Sequence, residues 1–125
     1  MKDQKKTTFR PHAAHSNDPM VRELLDCAIA CETCATACLQ ERDVNIMTRC
    51  IELNRECAEI CIQAARLLQR DSELLPSFLG ICEEACRMCA DECRKHDYEH
   101  CKQCADACEH CAEACHEHDG SIELK

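Results

Sequence analysis

The sequence predicts an all-α fold, an antiparallel up-down-up-down four-helix bundle with a cysteine-lined core. Three observations predict it. Cysteines recur at gaps of three and four residues, the spacing that sets side chains on one face of an α-helix. The clearest run is CKQCADACEHCAEAC, Cys101 to Cys115, whose fillers are mostly good helix formers. The 125 residues contain only two Gly and three Pro, which favours long uninterrupted helices. The breaks between patterned stretches are short, and short links force antiparallel neighbours.

Residues 1–17 are polar and unpatterned and read as a flexible tail. Asp18-Pro19 supplies an N-cap and a first-position proline. These open a helix over about 19–41 that carries Cys27, Cys31, Cys34 and Cys38. Asp43 can cap the second helix, about 44–70, with Cys50, Cys57 and Cys61. Asp71 and Ser72 break the pattern, and Pro76 belongs in the first turn of the third helix. That helix covers about 74–95 and holds Cys82, Cys86, Cys89 and Cys93. Asp97 caps the fourth, about 98–116, with Cys101, Cys104, Cys108, Cys111 and Cys115. The bundle thus spans 18–117, and 118–125 reads as a polar tail. CETCATAC (31–38), CRMCADEC (86–93), CKQCADAC (101–108) and CEHCAEAC (108–115) share one C-x-x-C-A-x-x-C frame.

Antiparallel order assigns the cysteines to levels. Cys38, Cys50, Cys93 and Cys101 share one, and Cys34, Asn54, Cys89 and Cys104 the next. Then come Cys31, Cys57, Cys86 and Cys108, followed by Cys27, Cys61, Cys82 and Cys111. At 1.5 Å per residue the thiols line about 16 Å of the axis. Asn54 takes the one slot where the rhythm expects Cys. Leu24, Leu68, Leu75, Phe78 and Leu79 form an apolar plug at one end. Glu41, Met47, His96 and His100 form a polar, sulfur-bearing mouth at the other.

The hydrophobic fraction of 46% counts all 16 cysteines, while Trp is absent and there are two Phe and one Tyr. So little aliphatic and aromatic volume leaves the interior to cysteine, or to something cysteine binds. The net charge of −9 argues against a nucleic-acid partner. No apolar run has signal-peptide or membrane-span length, so a cytosolic chain without a membrane partner is expected. In a reducing compartment such cysteines bind metal rather than form disulfides. A disulfide-stapled bundle needs an oxidising compartment that nothing here signals.

Thiolates are soft donors suited to Cu(I), Zn(II) and iron–sulfur clusters. The C-x-x-C-x-x-C loop of iron–sulfur sites is absent. Four C-x-x-C pairs (31–34, 86–89, 101–104, 108–111) keep open a zinc- or mixed-metal-binding structural or regulatory bundle. Those pairs lie inside helices rather than on turns. Cu(I) accepts two or three sulfurs, and bridging thiolates along a straight tube would hold multiple Cu(I) ions per chain. Among non-cysteine residues, His100 and Asn54 are candidate ligands, whereas Met47 could pass an ion inward. His12, His15, His116 and His118 fall in the tails and read as solvated. With no nucleophile–base set or phosphate loop, the chain does not read as an enzyme.

The stripes, together with CIELNRECAEIC (50–61) and KHDYEHCKQCADAC (95–108), resemble the Cys-rich four-helix-bundle copper storage proteins of the cytosolic branch. The resemblance covers about residues 19–116. It implies Cu(I) on core thiolates, a few non-cysteine ligands near one bundle end, and a tetramer. Carried onto this chain, the end-site residues are His100 and Asn54. Exchange with cytosolic copper chaperones or low-molecular-weight thiols would follow. The second helix also predicts a homo-oligomer unaided, because Ile46, Ile51, Leu53, Ile60, Ile62, Leu67 and Leu68 surround its stripe.

Overall fold

The computed structural model describes the backbone of residues 12–123 and the side chains of residues 19–118. Four helices follow one another: α1 His12–Leu39, α2 Thr48–Gln69, α3 Leu75–Cys93 and α4 Glu99–Glu123. A short 3-10 turn, Val44–Met47, leads into α2. No strand occurs among the described residues. Each helix packs on its neighbours in sequence, and α1 closes the ring against α4. The diagonal pairs α1/α3 and α2/α4 do not pack backbone to backbone. A central shaft remains between them, and the stripes fill it.

Alanine sets the closeness of the ring. Ala28, Ala35, Ala105 and Ala112 are buried beside the cysteine stripes. A methyl group there lets neighbouring backbones approach without crowding the shaft. Apolar volume sits at one end, where Leu24, Leu68 and Leu79 are almost wholly buried and Leu75 nearly so. Each fully buried Leu contributes roughly 1.5–3 kcal/mol. Phe78 packs against this plug while half-buried. At the other end Met47 is fully buried.

The helix ends depart from the sequence expectations in several places. Pro19 lies inside α1 rather than at its start, because the helix begins at His12. A proline removes one backbone hydrogen bond but need not end a helix whose flanks continue the turn. Of the expected 1–17 tail, residues 12–17 are therefore helical and 1–11 lie outside the described residues. The polar tail at 118–125 is likewise helical through Glu123, since Gly120 weakens a helix by only about 1 kcal/mol. Asp43 precedes the 3-10 turn and makes no side-chain cap. Asp97 stands two places before α4, where its carboxylate meets Lys102 at 3.1 Å.

The α2–α3 break follows expectation, with a clear mechanism. Asp71 has φ 52°, the left-handed region. Its N–H bonds Leu68 C=O at 3.2 Å, and Ser72 N–H bonds Leu67 C=O at 3.0 Å. This is a Schellman closure with Asp in the place glycine usually takes. Pro76 then sits in the first turn of α3, where its missing N–H costs no helical bond.

Candidate metal centre

All sixteen cysteines are buried and free, and none exceeds 1% exposure. A helix buries its apolar stripe, and in this chain the stripe is sulfur on all four helices. The thiols reach across the shaft that the backbones leave open. Cys27 Sγ (α1) lies 3.9 Å from Cys86 Sγ (α3), and Cys61 Sγ (α2) lies 4.0 Å from Cys111 Sγ (α4).

The levels hold, with one adjustment. Cys38 and Cys93 each meet Cys50, at 3.9 and 3.6 Å. Cys31 meets Cys108 at 3.6 Å, Cys57 meets Cys86 at 3.7 Å, and Cys61 meets Cys82 at 3.7 Å. Helix α1 is staggered by part of a level against α4. Cys34 therefore also meets Cys101 (3.9 Å), Cys31 meets Cys104 (3.8 Å) and Cys27 meets Cys108 (3.8 Å). Cys115 lies one turn beyond the levels, beside Cys82 and Cys111.

Sulfur–sulfur hydrogen bonds gather fourteen of these thiols into two groups, which touch where Cys34 meets Cys104. Cys34, Cys38, Cys50, Cys93 and Cys101 form the mouth group. Cys27, Cys31, Cys57, Cys61, Cys82, Cys86, Cys104, Cys108 and Cys111 form the deep group. Asn54 stands between the two, fully buried. Its Oδ1 accepts from Cys89 at 3.2 Å, Cys104 at 3.4 Å and Cys93 at 3.6 Å. Its Nδ2 donates to Cys50 Sγ at 3.8 Å. The amide is thus satisfied by both groups at once.

His100 links the mouth group to the surface. Its Nδ1 lies 3.4 Å from Cys34 Sγ and 3.6 Å from Cys101 Sγ, while Nε2 meets the Glu41 carboxylate at 2.8 Å. The Tyr98 ring stacks on the imidazole, with centroids 5.4 Å apart and planes 4° apart. Burial opposes protonation of this imidazole, but Cys34 and Glu41 outweigh it and raise its pKa. Contact with Cys104 pushes the Cys34 thiol up, yet Cys50, Cys93 and His100 prevail and lower it to about 5. Burial, with the neighbouring Cys34, pushes Cys38 up to about 11. His96 turns away from the thiols and meets Glu92 at 3.1 Å.

The backbones of His12 and His15 belong to α1 and those of His116 and His118 to α4, rather than to tails outside the helices. His116 is solvent-exposed as expected, with its Nδ1 3.4 Å from Glu83. His118 Nδ1 is buried without a partner among the described residues. The rhythm that placed the cysteines of α4 runs on from Cys115 to His118 and could have found it. The stacking of Tyr98 on His100 had no such signal.

Quartets of sulfurs lie within 4.8 Å of one another, among them Cys27, Cys57, Cys61 and Cys86, and Cys34, Cys38, Cys50 and Cys101. They overlap: Cys27, Cys57, Cys61 and Cys86 each belong to a second quartet. A closed zinc tetrahedron needs four ligands of its own. Shared thiols suit a soft ion that accepts bridging sulfur. Fold and site together define a helical bundle with a thiolate interior built for many soft metal ions.

Residues 13–120 match the family described as Copper storage protein (Csp), and the chain belongs to it. The Cu(I)-bound copper storage protein BsCsp3 is 40% identical, with 81% of this chain and 95% of that one covered and a TM-score of 0.78. The apo copper storage protein 3 from Bacillus subtilis is also 40% identical, over 81% and 96% of the two chains, with a TM-score of 0.76. A cytosolic copper storage protein from Streptomyces lividans, loaded with five coppers, is 37% identical over 84% and 92%, with a TM-score of 0.79. No curated protein matches the chain.

Proposed function

We propose that this chain stores Cu(I) as cargo on the cysteine thiolates of its bundle core, sequestering copper for detoxification or later supply. The carrying observation is the set of buried thiols in overlapping quartets, which can hold many ions by bridging. All sixteen cysteines are the proposed ligands, with His100 at the mouth and Asn54 between the two thiol groups. The family is one of storage proteins, and we read the chain as binding rather than catalytic. The Streptomyces lividans relative is cytosolic. No helix among the described residues is long and apolar enough to cross a membrane. That relative supports a cytosolic store that exchanges copper with chaperones or small thiols.

Titrating the reduced chain with Cu(I) against a coloured chelator tests the reading. Many tight equivalents per chain are expected. A few zinc ions that resist displacement by copper would instead support the zinc-holding bundle.

We also infer a homo-oligomer, with a tetramer favoured. Ile46 in the 3-10 turn and Ile62 on α2 are exposed, whereas Ile51, Ile60 and Leu67 of α2 are half-buried. Leu53 and Leu68 have gone into the bundle's own core. Ile81 and Met88 of α3 are 50% and 40% exposed beside Leu53 and Ile60, in one apolar groove. A face of this kind favours a partner surface.

A further inference from the structure

The plug end of the bundle, opposite His100, carries soft donors of its own. The cysteine rhythm of α4 is 101, 104, 108, 111, 115, and its next step is His118. The rhythm of α1 is 27, 31, 34, 38, and its continuation backwards passes Leu24 to reach Met20. Antiparallel packing brings the two extensions together. Met20 and His118 line one cleft of about 320 Å³ with Pro19, Glu23, Ala114 and Glu117. Met20 is 8% exposed. His118 Nδ1 is buried and has no hydrogen-bond partner among the described residues.

A buried ring nitrogen without a partner is costly unless something takes up its lone pair. A neutral imidazole nitrogen and a thioether are both donors for Cu(I), and the thioether has little affinity for hard ions. Glu23 and Glu117 in the same cleft favour a cation electrostatically. On α4 the site leads inward without interruption, since Cys115 is the neighbouring stripe residue and is fully buried. On α1, by contrast, Leu24 separates Met20 from Cys27.

We propose that Met20 Sδ and His118 Nδ1 form a second Cu(I) site at the plug end, passing copper to and from Cys115. The inference rests on the copper-storage reading and adds a second point of exchange to it. The mouth at His100 is then one of two.

The test uses the full-length reduced chain with Cu(I) added anaerobically. Imidazole nitrogen resonances of His118 and the methyl resonance of Met20 are followed to full loading. Both should shift. Resonances that stay still at full load would overturn the site. Uptake is then measured by stopped flow in His100→Ala, with and without His118→Ala and Met20→Leu. The added changes should slow the remaining uptake severalfold, while His116→Ala should leave it unchanged. Equal rates in all of them would overturn the exchange role, and circular dichroism checks that each variant is folded. A wild-type chain that takes up almost no Cu(I) would defeat the storage reading itself. Full loading with a silent His118 would defeat only this inference.

Discussion

The Cys89 thiol donates to Asn54 Oδ1 across 3.2 Å, and this amide links the two thiol groups of the shaft. Cys93 of the mouth group and Cys104 of the deep group converge on the same oxygen. Asn54→Ala leaves three buried thiols without their acceptor and opens a small void. Removing a buried hydrogen-bond partner costs about 1–3 kcal/mol. Urea unfolding of the reduced apo protein should show a loss of that order, and an unchanged midpoint would refute it. Asn54→Cys instead completes the rhythm and should raise Cu(I) capacity by about one ion, as measured by chelator titration.

His100 holds Glu41 on its outer nitrogen and Cys34 on its inner one, the arrangement of a relay from surface to shaft. Met47 is fully buried and can only act on an ion already inside. The double change His100→Ala with Met47→Leu should slow Cu(I) uptake in stopped-flow traces. Final capacity should barely fall, because no thiol is lost. A loss of several ions would mean that these residues hold stored copper.

The apo protein should be folded. Leu24, Leu68 and Leu79 are buried without any help from metal, whereas Leu25 and Leu39 of α1 are 40% and 60% exposed and add little to the core. Circular dichroism of the reduced, chelated chain should still be strongly helical. Adding Cu(I) should raise Tm, because an ion that binds the folded state stabilises it. A largely unstructured apo spectrum would refute this.

Assembly is tested on the α2–α3 groove. Light scattering of the wild type should give a multiple of the 14.2 kDa chain. Ile81→Glu with Met88→Glu should shift it toward that single-chain mass, since both side chains are exposed and charge on that face would be desolvated in an interface. A wild-type monomer at micromolar concentration would remove the oligomer proposal.

Asp71 offers a test of the α2–α3 link. Its φ of 52° favours glycine. Asp71→Gly should raise apo stability by about 0.5–1 kcal/mol by relieving the Cβ contact, less whatever entropy the unfolded chain gains. A clear loss of stability would show that the Asp71 side chain itself holds the turn.

The sequence by itself determined which face of each helix carries sulfur. That follows from the 3.6-residue period, a local property that neighbouring residues settle without the rest of the chain. It also determined the number and order of the helices, because the breaks at Asp71-Ser72 and Pro76 are chemical. The apolar plug of Leu24, Leu68, Leu75 and Leu79 and the mouth at His100 followed from the same phase, carried through antiparallel links. What only the tertiary structure decided depends on contacts between residues far apart in the chain. The part-level stagger of α1 against α4 is set by how their side chains interlock, and no periodicity encodes an axial offset. The same interlocking turns His100 toward Cys34 and His96 toward Glu92, and makes Asn54 a junction rather than a gap. Helix ends were the least legible feature. Proline at 19 and glycine at 120 weaken a helix by amounts that the surrounding turns can absorb, so their local signals did not decide where α1 starts and α4 stops.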